Sequence, residues 1–236
     1  DACRCPDPTR SARWTCPTGR ALGGALLAHA VGTRGGGDGA VGAEARAQAE
    51  SIAEALPKAA AVFAARGLDG TRMEDIVEAT GVPRPTLYYH FSSKEEILAW
   101  LLQRLLRDLS IEIGGIVDRD EPARDRLRHV IAAYLQLFAD HTQLCTVLLT
   151  ELGRITRIPQ LADAIWAAFH EPLGKVLDAG ERDGSMRASD HEMTASAIFG
   201  TVTMVGLHHV VVGQPVDPPA MASRLDHLIL RGLAPT

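Results

Sequence analysis

Residues 56–98 read LPKAAAVFAARGLDGTRMEDIVEATGVPRPTLYYHFSSKEEIL, and the middle of this stretch decides the fold. Gly81 can take the left-handed conformation that turns a chain out of a helix. Pro83 disfavours helical backbone at Val82 and so stops the segment before it. Pro85 falls in the first turn of the next segment, where its missing N–H costs nothing. The spacing predicts a short helix over 73–80, a turn of Gly81-Val82-Pro83 and a second helix over 84–91, which is a helix-turn-helix. Leu56, Ala59, Ala60 and Phe63 share one face of a preceding helix, Ile76 and Ala79 face inward from the second, and Leu87 and Phe91 come from the third. Three short helices with this little core are marginal alone. A longer helix from Ser93, with Leu98, Leu101, Leu102, Leu105 and Leu109 on its inner side, is expected to brace them. Thr71-Arg72-Met73-Glu74 and Ser93-Lys94-Glu95-Glu96 both read as capping boxes, a hydroxyl to a free amide and a carboxylate back to the cap.

Outward from this stretch the apolar period stays helical from Glu44 to the end. Helices are expected at 46–66, 71–80, 84–91, 93–117, 122–141, 142–153, 159–183, 190–213 and 218–232, about nine in an all-α chain. Pro57 marks either the true start of the first or a kink. Pro172 and Gly174 should bend or break the seventh, and Gly114-Gly115 should weaken the fourth near its end. Pro122, Pro159 and Pro218 read as first-turn prolines, and Gly67, Gly81, Gly153, Gly184 and Gly213 as stops. Residues 1–43 differ: they hold nine of the 22 glycines, carry a net +2 charge and keep no period. They read as a flexible arm. Three units follow: an arm over 1–43, a helix-turn-helix domain over 44–95, and a larger helical bundle over 96–236.

Composition sets outer limits. With 24 basic and 29 acidic residues the net charge is −5, which rules out a globally basic nucleic-acid coat or a polybasic membrane-surface protein. Aromatic residues at 5% argue against a stacking platform for single strands. Cys3, Cys5 and Cys16 lack a fourth ligand within reach, and Cys145 stands alone, so neither a zinc site nor a disulfide scaffold is expected. The apolar run 21–31 lacks a convincing cleavage signal, and a cytoplasmic protein is expected. The sequence has no His-Glu-x-x-His, no Gly-x-Ser-x-Gly and no phosphate loop, so neither an enzyme nor a cofactor is expected.

The outward face of 84–91 is left for a partner. Arg84, Thr86, Tyr88, Tyr89 and His90, then Lys94, carry donors, with no acid between Thr80 and Lys94. Such a strip on a short helix suits a DNA major groove. The plain alternative is a solvated surface helix.

The run Gly-Val-x-x-x-Thr-Leu-Tyr-x-His-Phe-x-x-Lys-Glu, here Gly81 to Glu95, resembles the DNA-binding domain of TetR-family transcriptional regulators across about 43 of the 236 residues. The resemblance implies that positions matching Arg84, Pro85, Thr86 and Tyr89 touch bases or thymine methyls. It implies that those matching Tyr88, His90, Lys94 and Thr71 grip phosphates. It departs at position 83, which often carries a capping hydroxyl in the family and here is proline. By resemblance the chain is a homodimer on a near-palindromic double-stranded operator, most simply a repressor released by a small-molecule effector. An architectural DNA-binding protein without effector and a helical small-molecule enzyme are the alternatives.

In the C-terminal half, Met193 to Val216 carries no Asp, Glu, Lys or Arg over 24 residues, enough for a membrane span. His208-His209, its threonines and its acidic flanks favour burial by protein instead, and no membrane partner is expected. The resemblance implies that helices 190–213 and 218–232 pack against their copies in the dimer, with small residues on the first allowing close approach. It also implies an effector pocket, for which Tyr134, Phe138, Leu148, Glu151, Trp166, Phe169, His170, Met204 and His208 are candidates. Adjacent His208 and His209 point about 100° apart on a helix, poor geometry for a metal.

Overall fold

The computed structural model describes residues 40–155, 158–187, 190–214 and 217–232. The three early cysteines and the run 21–31 lie outside the described residues, as does the expected arm up to residue 39. Every regular element among the described residues is helical. Helix α1 spans Ala40–Ala55, so helix begins at Ala40 rather than at residue 46. A single 3-10 turn, Leu56–Lys58, carries Pro57 and leads directly into α2, Ala59–Gly70. Pro57 is thus a kink within one helical rod, not its start. Gly67, at φ 66°, turns the last residues of α2 aside.

Helices α3, Met73–Thr80, and α4, Arg84–His90, form the helix-turn-helix, with Gly81 left-handed at φ 71° between them. The α3 cap lies one residue later than the sequence suggested. The backbone N–H of Arg72 donates to the Asp75 carboxylate at 2.8 Å. Thr71 is unavailable as the cap because its hydroxyl donates to the Gly67 carbonyl at 2.7 Å, closing the turn that Gly67 opens. Helix α5, Lys94–Val117, begins as expected, with Ser93 Oγ accepting from the Glu96 N–H at 3.3 Å. The return arm differs: the Glu96 carboxylate accepts from Ser92 rather than Ser93. Gly114 and Gly115 do not end α5, which runs on to Val117.

Beyond α5 come α6, Ala123–Asp140, α7, Thr142–Thr150, and a short α8, Leu152–Ile155. Gly153 is not a stop; the break falls at Glu151, and Gly153 sits inside α8. Pro122 precedes α6 rather than starting it, and the Asp183 carboxylate supplies the missing cap by accepting the Ala123 N–H at 3.1 Å.

Helix α9, Pro159–Ile165, continues through a π turn, Trp166–His170, into α10, Glu171–Arg182. Pro172 therefore does not break the helical run, although regular α-helix is interrupted by the π turn just before it. Its ring and missing N–H disrupt bonding to the carbonyl four residues back, Ala168, and the wider π turn absorbs the mismatch. The Tyr134 hydroxyl, on α6, donates to the carbonyls of Ala168 and Phe169 at 3.1 and 3.2 Å. A side chain from the facing helix thus satisfies what proline left open.

Helix α11, His191–Val212, and α12, Pro218–Gly232, complete the bundle. Helix α6 lies at its centre, packed on α5, α10, α11 and α12. Among the described residues α11 is the one helix long and apolar enough to cross a membrane. One side of it enters the core through Ala195, Ile198, Val202 and Gly206, while Met193, Met204, Val211 and Val212 stay exposed. Gly206 permits a close approach within the chain: a Cβ there would sit 2.5 Å from the Phe138 ring.

Candidate nucleic-acid interface and ligand cavity

Helix α4 is seated by Leu87 and Phe91, both buried. Seating those two points the rest of the helix outward. Arg84 and Pro85 are exposed, Thr86 and His90 are half-buried, and Tyr88 and Tyr89 are 44% and 76% exposed. Large aromatics left this open on a short helix are unusual for a solvated face. The Arg84 guanidinium pairs with Glu74 of α3 at 2.6 Å and lies 5.3 Å from the centre of the Tyr88 ring. The sequence window showed no acid opposing Arg84; the fold brings one in from the neighbouring helix.

Lys94 reaches back to the end of α2 and the link before α3, donating to the carbonyls of Asp69 and Thr71 at 3.2 and 2.9 Å. Thr71 itself is 1% exposed, so its hydroxyl is not on the outer face. Burial holds His90 below the ordinary imidazole value, which keeps the ring neutral near pH 7.

The C-terminal bundle holds a partly open cavity of about 310 Å³ between α6, α7, the α9 rod and α11. Five of the nine pocket candidates line it: Phe138, Leu148, Trp166, Phe169 and His170. Trp166 and His170 stack at 4.7 Å, almost parallel, and Phe199 of α11 leans on His170 at 5.2 Å. The other four lie elsewhere. Tyr134 sits in the core at the π turn. Met204 and His208 line a separate outer groove on α11. Glu151 points away, toward the helix-turn-helix domain. Leu137, Leu149, Leu152, Ile165, Phe199 and Thr203 also line the cavity and were missed. Apolar periodicity marks an inward face and does not distinguish a filled interior from a hollow one.

No Asp, Glu, Lys or Arg lines the cavity among the described residues. Cys145 lines it too; its thiol, 3.6 Å from the Leu137 carbonyl, is pushed up to about 12 by burial. No cluster of three or more His, Cys, Asp or Glu is placed to hold a metal among the described residues.

The α7–α8 junction touches both regions. Leu148, Leu149 and Leu152 face the cavity. Between and beyond them, Glu151 accepts the Leu68 N–H at 3.4 Å, and Arg154 grips both oxygens of Asp69 at 2.8 and 2.7 Å. Leu68 and Asp69 belong to the last turn of α2, beyond the Gly67 kink, and the Asp69 carbonyl is one of the two that hold Lys94.

The family described as bacterial regulatory proteins, tetR family, matches residues 55–101. The family described as tetracyclin repressor-like, C-terminal domain, matches residues 120–233. The chain is 29% identical over 187 residues to the HTH-type transcriptional repressor KstR2 of Rhodococcus jostii, covering 77% of this chain and 90% of that protein. It is 31% identical over 168 residues to the HTH-type transcriptional activator FasR of Mycolicibacterium smegmatis, covering 71% and 76%. Among solved structures it resembles the transcriptional regulator FadR from Bacillus subtilis in complex with stearoyl-CoA. The TM-score is 0.68 at 21% identity, covering 76% of this chain and 98% of that one.

Proposed function

Because the chain belongs to the tetR family of DNA-binding transcriptional regulators, we propose that it is a homodimeric repressor, released from a near-palindromic operator by a small apolar effector. The observation that carries the reading is the α4 surface. Arg84, Pro85, Thr86 and Tyr89 are assigned to bases, and Tyr88 and His90 to phosphates. Lys94 adds charge beside them while tying the loop before α3. A neutral His90 contributes a hydrogen bond rather than charge.

One seven-residue helix reads few base pairs, so two are needed, held roughly 34 Å apart on successive major-groove faces. The exposed apolar side of α11, with Met204 63% and Val211 72% exposed, and Leu228 on α12 supply a surface for the second copy. The same pairing accounts for a long apolar helix without a membrane. A protein acting on operator DNA works in the cytoplasm.

The cavity supports an effector and so disfavours a purely architectural role. Burying an unpaired carboxylate in such a lining costs several kcal/mol, so the enclosed part of the effector is uncharged. A fatty-acyl chain carried as a thioester, or a sterol-like ring system, meets that requirement, and the stearoyl-CoA bound to the Bacillus subtilis relative is of the first kind. Helix α5 contributes no residue to the cavity lining. The α7–α8 junction, with its Glu151 and Arg154 links, offers one path from the cavity to the DNA-binding domain, and the packing of α5 on the Trp166–His170 turn offers another. To move the bound state from 99:1 to 1:99, the effector must prefer the released state by ~10⁴-fold.

Replacing Arg84 and Tyr88 together with Ala tests the assignment. Binding to a duplex selected by the wild type should vanish in a gel shift, while light scattering still reports a dimer. Unchanged affinity overturns it.

A further inference from the structure

Helix α3 carries three acids, and they are not equivalent. Asp75 is committed inward: its carboxylate accepts the Arg72 N–H and pairs with Arg66 at 2.6 Å. Glu78 stands exposed one turn further along the helix. Glu74, in the first turn, instead reaches across to the first residue of the reading helix and meets Arg84 at 2.6 Å. On a surface that is to meet a polyanion, a carboxylate is an electrostatic liability, because it repels the phosphates that supply most of the affinity.

We propose that Glu74 determines specificity: its carboxylate holds the Arg84 guanidinium in the pose that reads guanine, so recognition at one base pair per half-site depends on a residue outside the reading helix. This rests on the reading that α4 enters the major groove. Arginine has five N–H donors in a rigid fork, and a guanine O6/N7 pair takes only part of the fork, leaving a donor for Glu74. The ring of Tyr88, 5.3 Å from the guanidinium, restricts it further. Pro83, the residue before α4, has no hydroxyl to cap the helix start, and no side chain caps it there. Arg84 and Glu74 are both more than half exposed, and Glu74 and Tyr88 are the side chains against which the guanidinium rests. Glu74 acts through Arg84 and is a positioning residue. Freed of it, a long flexible side chain would sample neighbouring phosphates as readily as the base.

The test is selection from a randomised duplex pool by the full-length wild type and by Glu74→Ala, Glu74→Gln and Arg84→Ala, followed by titrations on the enriched duplex and on an unrelated one. The wild type should enrich a guanine at one position per half-site, and Arg84→Ala should lose it. Glu74→Ala should lower the affinity ratio for guanine over other bases there by ~5-fold or more. Its affinity for the unrelated duplex should rise, since a negative charge has gone. Glu74→Gln keeps an acceptor for the guanidinium and should retain most of the preference. The proposal is overturned if Glu74→Ala keeps the wild-type preference. It is equally overturned if that variant weakens on every duplex alike, the mark of a merely structural role. A wild type that enriches no motif sinks the underlying DNA reading, an outcome visible before any Glu74 variant is compared.

Discussion

Replacing Tyr134 with Phe isolates a single physical claim, that this hydroxyl substitutes for the helix bond Pro172 cannot make. The ring is buried at 1% exposure and stays when the oxygen goes, so packing is conserved. What is lost is donation to the Ala168 and Phe169 carbonyls at 3.1 and 3.2 Å. Ala168 is four residues before Pro172, so no backbone N–H inside the rod takes the hydroxyl's place in the usual pattern. Leaving a buried acceptor unsatisfied costs ~1–3 kcal/mol. For a chain of this size that corresponds to a drop of roughly 2–12 °C in melting temperature. The refined test is a double-mutant cycle by urea denaturation at fixed protein concentration. With Pro172→Ala a backbone N–H returns opposite Ala168, so Tyr134→Phe should cost less in that background, by ~0.5 kcal/mol or more. Equal costs in the two backgrounds, or a Tyr134→Phe cost under ~0.3 kcal/mol, would show that the hydroxyl does not stand in for the bond Pro172 lacks.

Three further outcomes are expected. Arg154→Ala should speed amide hydrogen exchange across 67–71 and α4, read by mass spectrometry, while α12 stays protected; unchanged exchange at 67–71 would remove the α7–α8 junction as a link between domains. Cys145 should resist alkylation in the native protein at pH 8, since burial pushes its thiol to about 12, and react on unfolding in denaturant; rapid native labelling mapped to its peptide contradicts this. Burial holds His90 and His170 below the ordinary imidazole value, with a weaker opposing pull from Glu192 on His170. The unfolded chain then takes up these protons first, so stability is full above about pH 6.5 and falls as pH drops toward the lower folded values. Urea midpoints at pH 7.5 should exceed those at 5.5, and changing both histidines to Asn should flatten the difference; an unaltered slope counts against it.

The fold was largely legible because its signals are local. Gly81 and Pro83 act on their own backbone, and Ser93 caps the helix it starts, so the helix-turn-helix and the start of α5 were readable within a residue or two. The misreadings came where a distant residue intervenes. Thr71 looked like a cap until Gly67 engaged its hydroxyl, and Pro172 looked like a break until Tyr134, on another helix, satisfied the carbonyl it exposed. The small residues of 190–213 suggest room for a second copy, but at one of them, Gly206, the space is filled by Phe138 of the same chain. The candidate site divides in the same way. The outward strip of α4 follows from one helix's periodicity, whereas its Glu74 partner comes from a helix that periodicity treats separately. The cavity lining was half legible: an apolar residue facing inward reads the same whether it meets a side chain or a void. Glu151 is a pocket candidate by sequence, but a charge gains more at the domain junction, where an N–H and Arg154 meet it.

On the proposed function, α4 is presented twice by a dimer and reads a spaced pair of DNA half-sites. The most direct test is footprinting of the full-length protein on the duplex it selects from a random pool. Two protected half-sites should appear with centres 10–10.5 base pairs apart or a multiple of that, absent with the Arg84→Ala, Tyr88→Ala double variant. A single unpaired footprint, or protection that survives the double variant, would mean that α4 does not read paired half-sites.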